Sequence, residues 1–488
     1  MTGCGAPLGS WGSGRYMDAM ITPVPADVIA RLKAVLGEGG WSQDPVRLAP
    51  KLVEERGRWK GTTPLLALPR TVEEVAAVVG VCFETGTPIT VQGGNTGLVA
   101  GQIPQGEILL SLERLKAVRE TAPLDDVLVA EAGVTLAEVH AAATAADRFF
   151  PLSLASEGSC TVGGLISTNA GGTAVLRYGT MRDLVLGIEA VLPNGEVFRG
   201  LKRLRKDNTG YDLKQLLIGA EGTLGVVTAA SLKLFPRAAS RAVAIAGLRT
   251  PEAAIALLAR AKYESGGAVE AFELMSRQSV AFALRNIPGV REPLQDAFPW
   301  YVLVEAASGE EGGAERAIER LLVGALEDGL IGDAALAQSE GQAKALWRLR
   351  EDLSAAQKPE GVNWKHDISV PVSRIPEFLA RADAALLARW PGARIAAFGH
   401  VGDGNLHYNI AQPDGGDAAA FDRDRDAGAE AVHDIVAALG GSISAEHGLG
   451  AMKTAEALRY KSPVEVEALR ALRKALDPKR IMNPRVLF

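Results

Sequence analysis

At 488 residues the chain exceeds one ordinary hydrophobic core, so two or three domains are expected, and 47% hydrophobic with 23% charged residues is the make-up of a globular protein. A net charge of −6 argues against binding nucleic acid through its phosphate backbone, and no apolar run reaches the length of a membrane span. Three scattered cysteines (Cys4, Cys82, Cys160) form neither a disulfide framework nor a Cys-x-x-Cys pair, which fits a reducing, cytoplasmic setting.

Residues 1–20 are small and glycine-rich without the profile of a signal peptide. They read as a flexible tail, or as a start placed too early, with Met17 or Met20 the true beginning. "TVEEVAAVVGVCFETGTPITVQGG" reads as an amphipathic helix followed by a strand that ends on glycines. "DVLVAEAGVTLAEVHAAATAADRFFP" reads as strand then helix, closed by Pro151. A glycine-rich block runs on to Thr180, then the hairpin "LGIEAVLPNGEVFRG" turns at Asn194-Gly195, and "TLGVVTAASLKLFP" is a further strand. From residue 238 the texture changes to three strand–helix–strand units, predicting a second lobe built as a sheet with helices on one face. The resulting division is 21–237, 238–430 and a mostly helical segment 431–488. No low-complexity linker separates the lobes, so they are expected to pack as one body.

Three glycine-rich stretches carry the first chemical signal. In "PITVQGGNTGLVAG", Gly93, Gly94 and Gly97 follow a predicted strand, where backbone N–H groups can turn towards one point and cradle a pyrophosphate. Alone this would be a plain tight turn. "ASEGSCTVGGLISTNAGGTAVLRYGT" and "GAEGTLGVVT" repeat the theme, which suggests a long ligand lying across several loops. A Gly-x-Gly-x-x-Gly opening a βαβ unit is absent, so a nicotinamide cofactor has no anchor.

The second signal is histidine. Of only six in the chain, His400 and His407 flank Gly-Asp-Gly-Asn in "HVGDGNLHYN". Strand alternation in "HYNI" puts His407 and Asn409 on one face, and Gly402 and Gly404 permit the turn that brings His400 back. "SAEHGLG" adds Glu446 as a carboxylate with His447 beside it. Two imidazoles and one carboxylate leave coordination positions open, as at a catalytic divalent site. Zinc is expected, with manganese, cobalt or iron as alternatives; the competing reading is a loop braced by hydrogen bonds. Asp403 reads as a turn residue, and His140 and His433, both on predicted helices, as structural.

Together "VQGGNTGLVAG", "GGLISTNAGGTAVLRYGTMRDLVLG" and "IGAEGTLGVVT" resemble the flavin-binding half of the vanillyl-alcohol-oxidase/p-cresol-methylhydroxylase superfamily. "HVGDGNLHYN" and "SAEHGLG" look like its FAD-linked 2-hydroxyacid dehydrogenase branch, and the resemblance runs from residue 25 to the end. It implies an α+β, two-lobed flavoprotein. The FAD lobe would hold two α+β subdomains, the substrate cap a mainly antiparallel sheet covered by helices, and residues 431–488 would return to the flavin lobe. It implies FAD held at the pyrophosphate by Gln92, Gly93, Gly94, Asn95, Thr96, Gly97 and Leu98. Along the flavin lie Ser159, Gly163, Gly164, Ser167, Thr168, Asn169, Gly171, Gly172 and Tyr178. Glu221, Gly222, Thr223, Gly225 and Val226 would lie by the adenosine part or in the core of that lobe. Asn483 is a further candidate contact, although "MNPRVLF" departs from the family's usual Asn-Pro-Gly-Lys-type ending. Many relatives tether FAD through a histidine in the first loop; none stands here, so the cofactor is expected to be non-covalent.

The resemblance also implies the reaction: D-2-hydroxyglutarate to 2-oxoglutarate, the metal gripping hydroxyl and carboxylate, His447 as base, and hydride passing to flavin N5. D-lactate, glycolate or D-malate is the alternative substrate. Arg350, Ser354 and Lys365 match carboxylate-binding positions of the hydroxyglutarate members, and Asn409 and His447 are further substrate candidates. The plainer reading of Arg350 is a surface salt bridge. The electron acceptor would be an electron-transfer flavoprotein or a quinone, and a homodimer is admissible.

Overall fold

The computed structural model describes residues 23–487; the tail read over residues 1–20, and Cys4 with it, lies outside them. The first lobe holds two main sheets, besides the short pairing of Arg148–Phe149 with Phe235–Pro236. In the smaller, Leu66–Ala67 and Ile89–Gln92 both run parallel to Ile108–Ser111, and Trp41–Ser42 closes the edge. Helix Val72–Thr85 packs beside it because Val75, Val78, Val79 and Cys82 recur on one face and are fully buried. Thr71 caps its first turn by accepting the Glu74 N–H, and Gly86 ends it in the left-handed region. The second sheet is antiparallel, in the order Val118–Ala122, Val127–Glu131, Val226–Lys233, Val185–Val191, Val197–Gly200. Helices Leu136–Ala145 and Val162–Ser167 cover it through Val139, Leu165 and Ile166.

The cap is one eight-stranded antiparallel sheet. Its order is Asp333–Leu336, Ser240–Leu248, Trp300–Ser308, Val269–Ser276, Arg394–His400 and Asn405–Ala411, with Asn363–Trp364 and Asp367–Ser369 both on the last of these. Helices lie on both faces, not on one as the strand–helix–strand pattern suggested. Ala244 and Ala246 pack under Pro251–Glu264 and Gly313–Glu327, while Val243 and Ile245 face Arg277–Asn286 and Glu340–Glu351. The physical reason stands in the strands themselves: "AVAIAGL" is apolar at every position, and a strand with one wet face alternates. Each fully buried aliphatic side chain contributes about 1.5–3 kcal/mol, so covering both faces adds to what holds the sheet and its helices together. Next to the site, Trp364 stacks on Phe421 with centroids 4.0 Å apart, and helix Arg425–Ala438 approaches closely enough that a Cβ on Gly428 would sit 2.4 Å from the Trp364 ring.

After helix Pro463–Leu476 the chain returns to the first lobe, where Met482 bridges Ile89 and Arg485 pairs with Glu107 at 2.8 Å. Among the described residues no helix is long and apolar enough to cross a membrane.

Candidate active site

The two glycine blocks meet. A Cβ on Gly93 would lie 2.4 Å from Thr161 Oγ1, and one on Gly94 would lie 1.8 Å from the Ser159 carbonyl oxygen, so only glycine lets loop 93–98 sit against residues 159–161. Gly172 is pressed equally hard, its would-be Cβ 2.2 Å from Ser153 O. Within the described residues the backbone N–H groups of residues 93–98 find no acceptor, and neither do those of Gly171, Gly172 and Thr173. Two runs of unsatisfied donors around a glycine cradle are what an extended anionic cofactor satisfies.

The polar side chains of these blocks do something else. Gln92 donates to Lys51 O and Gln102 O, and Asn95 to Pro50 O and Val53 O. The Ser167 and Thr168 hydroxyls turn back to Gly163 O and Gly164 O, and Asn169 Oδ1 takes Thr180 Oγ1 and the Arg182 N–H. These side chains brace the loops, leaving cofactor binding to the backbone. Thr96, Leu98 and Gly97 complete the first loop, and Gly97 O is held by Gln102. Tyr178 donates to Glu270 of the cap at 2.6 Å, a contact between lobes. Val226 is buried in the core between the two sheets, where Gly225 (φ 155°) brings the chain close to Val191 O, and Thr223 bonds Ala220 O. Asn483 joins the two sheets, accepting the Val91 N–H and donating to Glu221 O beside Gly222. The side chains of Asn95 and Asn483 are thus engaged in bracing bonds, Asn169 is held through its Oδ1, and Val226 is packed in the core.

In the cap, strands Arg394–His400 and Asn405–Ala411 form a hairpin in which Phe398 pairs with His407. Gly404 takes φ 92° and Asp403 accepts the Asn405 N–H, so Asp403 is the turn residue expected. The turn brings the His400 and His407 ring centroids to 6.0 Å. His400 Nδ1 lies 2.7 Å from Glu273 Oε1 on the neighbouring strand, which aims Nε2 at Glu446 Oε1, 3.4 Å away. His407 Nε2 is 4.0 Å from Glu446 Oε2. Ligand atoms from these three residues lie within 4.8 Å of one another, yet no hydrogen bond joins them. The three side chains are joined only by these long ion-pair contacts, and the grouping is one that could hold a metal ion.

Burial alone would push His400 down, but Glu273 beside it raises it to about 9. Burial pushes His407 down to about 3 and lifts Glu446 to about 7. Burial also opposes the charge on Glu273, but His400 and Arg350 hold that carboxyl below the usual range. His447 stacks 6.4 Å from His407, and its Nδ1 lies 3.2 Å from Asp367 Oδ2, which keeps the proton on Nδ1 and the lone pair on Nε2. Asp367 is held ionised against its burial by His447 and His407, and it also accepts the Asn405 amide.

Arg350 is buried, not a surface salt bridge. Its Nε donates to Glu273 at 2.8 Å, its guanidinium lies over Phe398 at 5.0 Å, and its Nη2 has no partner. Lys365 reaches Ser354 O at 3.5 Å, and the Ser354 hydroxyl is bonded to nothing among the described residues. Asn409 accepts the His366 N–H and donates to Gln357, which leaves one amide hydrogen free. His140 and His433 are anchored to Leu152 O and Glu456. The signal for Glu273 in the sequence is a pair of carboxylates, Glu270 and Glu273, in the otherwise apolar "VEAFELM"; nothing local announces what Asp367 does.

Two family matches cover most of the chain: the FAD binding domain over residues 63–200, and the C-terminal domain of FAD linked oxidases over 237–487. Among curated proteins, the mitochondrial D-2-hydroxyglutarate dehydrogenase of Arabidopsis thaliana is 36% identical over 93% of this chain and 80% of its own. That of Bos taurus is 36% identical over 99% of this chain and 91% of its own. Among solved structures, p-cresol methylhydroxylase with substrate bound superposes at TM-score 0.74 with 16% identity, covering 94% of this chain and 96% of that one, a likeness of fold. Both of these curated relatives are named as mitochondrial, which corrects the expected cytoplasmic setting.

Proposed function

Because the chain belongs to the family of FAD-linked oxidases, and is an FAD-dependent hydroxyacid dehydrogenase, we propose that it oxidises D-2-hydroxyglutarate to 2-oxoglutarate at a divalent metal held by His400, His407 and Glu446. The observation that carries the substrate is the pair of cations beside the ligand cluster: buried Arg350 with its unpartnered Nη2, and Lys365 held near Ser354. A guanidinium matches a carboxylate in two bonds and an ammonium adds a point charge, so together they suit an acid with a second carboxylate.

Bound FAD supplies the acceptor for the hydride from C2, and the metal, zinc by its donor set, supplies Lewis acidity at the hydroxyl. His447 Nε2 takes the hydroxyl proton, with Asp367 holding the ring and stabilising the imidazolium that forms. Asn409 offers its remaining amide hydrogen to substrate. The backbone N–H groups of residues 93–98 and 171–173 would hold the cofactor, without a covalent link, since the first loop offers no histidine. An electron-transfer flavoprotein or a quinone would take the electrons from reduced FAD.

Anaerobic addition of candidate acids tests the reading: D-2-hydroxyglutarate should bleach the flavin at low concentration, and the monocarboxylates D-lactate and glycolate should need far more. Bleaching by a monocarboxylate alone would defeat it. In the first lobe, Gly94→Ala forces a Cβ against Ser159 O, and overpacking of this kind costs about 1–3 kcal/mol. FAD affinity, read by flavin fluorescence on dilution, should fall roughly 5- to 150-fold.

Lys365 gives a pH test. Burial, then the like charges of Arg56, Lys358 and Arg58, push it down to about 8. It is cationic below that value and neutral above it, so kcat/KM for the five-carbon diacid should decline above pH ~8, the free-enzyme value governing this ratio. Lys365→Met should raise KM for the diacid about 10- to 100-fold, the worth of one charged hydrogen bond, and flatten this limb. An unchanged KM counts against the assignment.

A further inference from the structure

One loop, residues 446–450, is gripped from both lobes by carboxylates. From the cap, Asp367 Oδ2 accepts the N–H groups of Glu446 at 3.0 Å and His447 at 3.1 Å. From the flavin lobe, Glu221 accepts those of Leu449 at 2.9 Å and Gly450 at 2.8 Å, one on each oxygen. Val99 O takes the next two, from Ala451 at 3.0 Å and Met452 at 3.2 Å. The fit is tight: Gly450 has φ 51°, and a Cβ there would lie 2.1 Å from Val99 O.

Glu221 is itself fixed. It sits in the left-handed region at φ 50°, its N–H bonds Ser167 O at 2.8 Å, and its carbonyl accepts Asn483 Nδ2 at 2.6 Å. Ser167 belongs to the glycine block that cradles the cofactor. Of the two places expected for Glu221, by the adenosine part of FAD or in the core of the lobe, its carboxylate favours the second, since each oxygen accepts an N–H of the loop.

We infer that Glu221 is a positioning residue: by accepting the Leu449 and Gly450 N–H groups it fixes the loop that carries Glu446 and His447 against the flavin lobe. The consequence for chemistry rests on the proposed roles of Glu446 and His447; the latch itself does not. Asp367 sets where the loop stands relative to the two histidines, and Glu221 sets where it stands relative to the cofactor cradle. Backbone N–H donors held by a carboxylate are charge-assisted, so removing the acceptor loosens the loop while leaving the cradle's own bonds intact.

Hydrogen–deuterium exchange on the FAD-loaded protein tests this. Glu221→Ala should speed exchange across residues 446–452 about tenfold or more, with residues 92–98 and the FAD content unchanged. Glu221→Gln, which keeps one good acceptor, should fall between, and it carries the test if the alanine variant does not fold. Zinc affinity of metal-free protein should drop about 10- to 100-fold, as for loss of groups that orient ligands. Wild-type exchange across 446–452 would overturn the inference, as would loss of FAD with that exchange unaltered, which would make Glu221 a cofactor contact. Faster exchange in a protein that binds no zinc in either form would leave the latch standing and remove the metal from the proposed reaction.

Discussion

His407→Ala should yield protein that keeps its yellow colour yet is reduced by D-2-hydroxyglutarate about 10³-fold more slowly or worse, the scale of losing a preorganised electrostatic group that acts on the developing charge. The side chain stands on the cap strand Asn405–Ala411, while the backbone donors proposed to hold the cofactor lie in the first lobe. Flavin content should therefore stay at the wild-type level while bound metal falls. Stopped-flow reduction without oxygen, alongside metal analysis, separates the two. His407→Asn discriminates against the braced-loop reading: an amide can replace a hydrogen bond but is a poor substitute for an imidazole ligand, so it should not rescue. Prolonged chelation of the wild-type protein should reproduce the phenotype, and added zinc should reverse it. A full reduction rate in chelated protein would end the metal reading.

Arg350→Met should lower apparent stability by about 3–5 kcal/mol, because it strands a buried charge. Glu273 is completely buried and has two charged partners, Arg350 Nε at 2.8 Å and His400 Nδ1 at 2.7 Å. With one gone, the carboxylate leans on His400, which the proposed site needs as a neutral ligand. Catalysis and stability should fall together. Pairing the change with Glu273→Gln removes the stranded charge, so the double variant should regain much of its urea midpoint without regaining affinity for the diacid. A single variant that unfolds at the wild-type urea concentration would show that the pair is not worth what its burial implies.

The most legible parts were those where chemistry demands particular residues in a short stretch. Glycines that must accept close backbone, at Gly93, Gly94 and Gly172, stand out in any sequence, as do two histidines seven apart around a glycine turn. The polar residues between the glycines were less legible. Whether Asn95 or Asn169 faces a ligand or its own backbone depends on neighbours distant in sequence, and both choices satisfy the same amide. Long-range partners were hidden for the same reason: nothing local to Glu221 announces Leu449, and nothing in "KHDISV" announces that Asp367 would hold two N–H groups of a segment some eighty residues later. The two-sided cover of the cap sheet was there to be read in strands without alternation. The compartment was not, because a low cysteine count reports a reducing environment, which cytoplasm and mitochondrial matrix share.

The return of residues 481–486 to the first sheet has a bearing on how the protein is made. Asn483 completes a link to Val91 across 392 positions of sequence. A ribosome that has finished the strands of this first sheet has therefore not finished their lobe, and must add the whole cap before the last brace arrives.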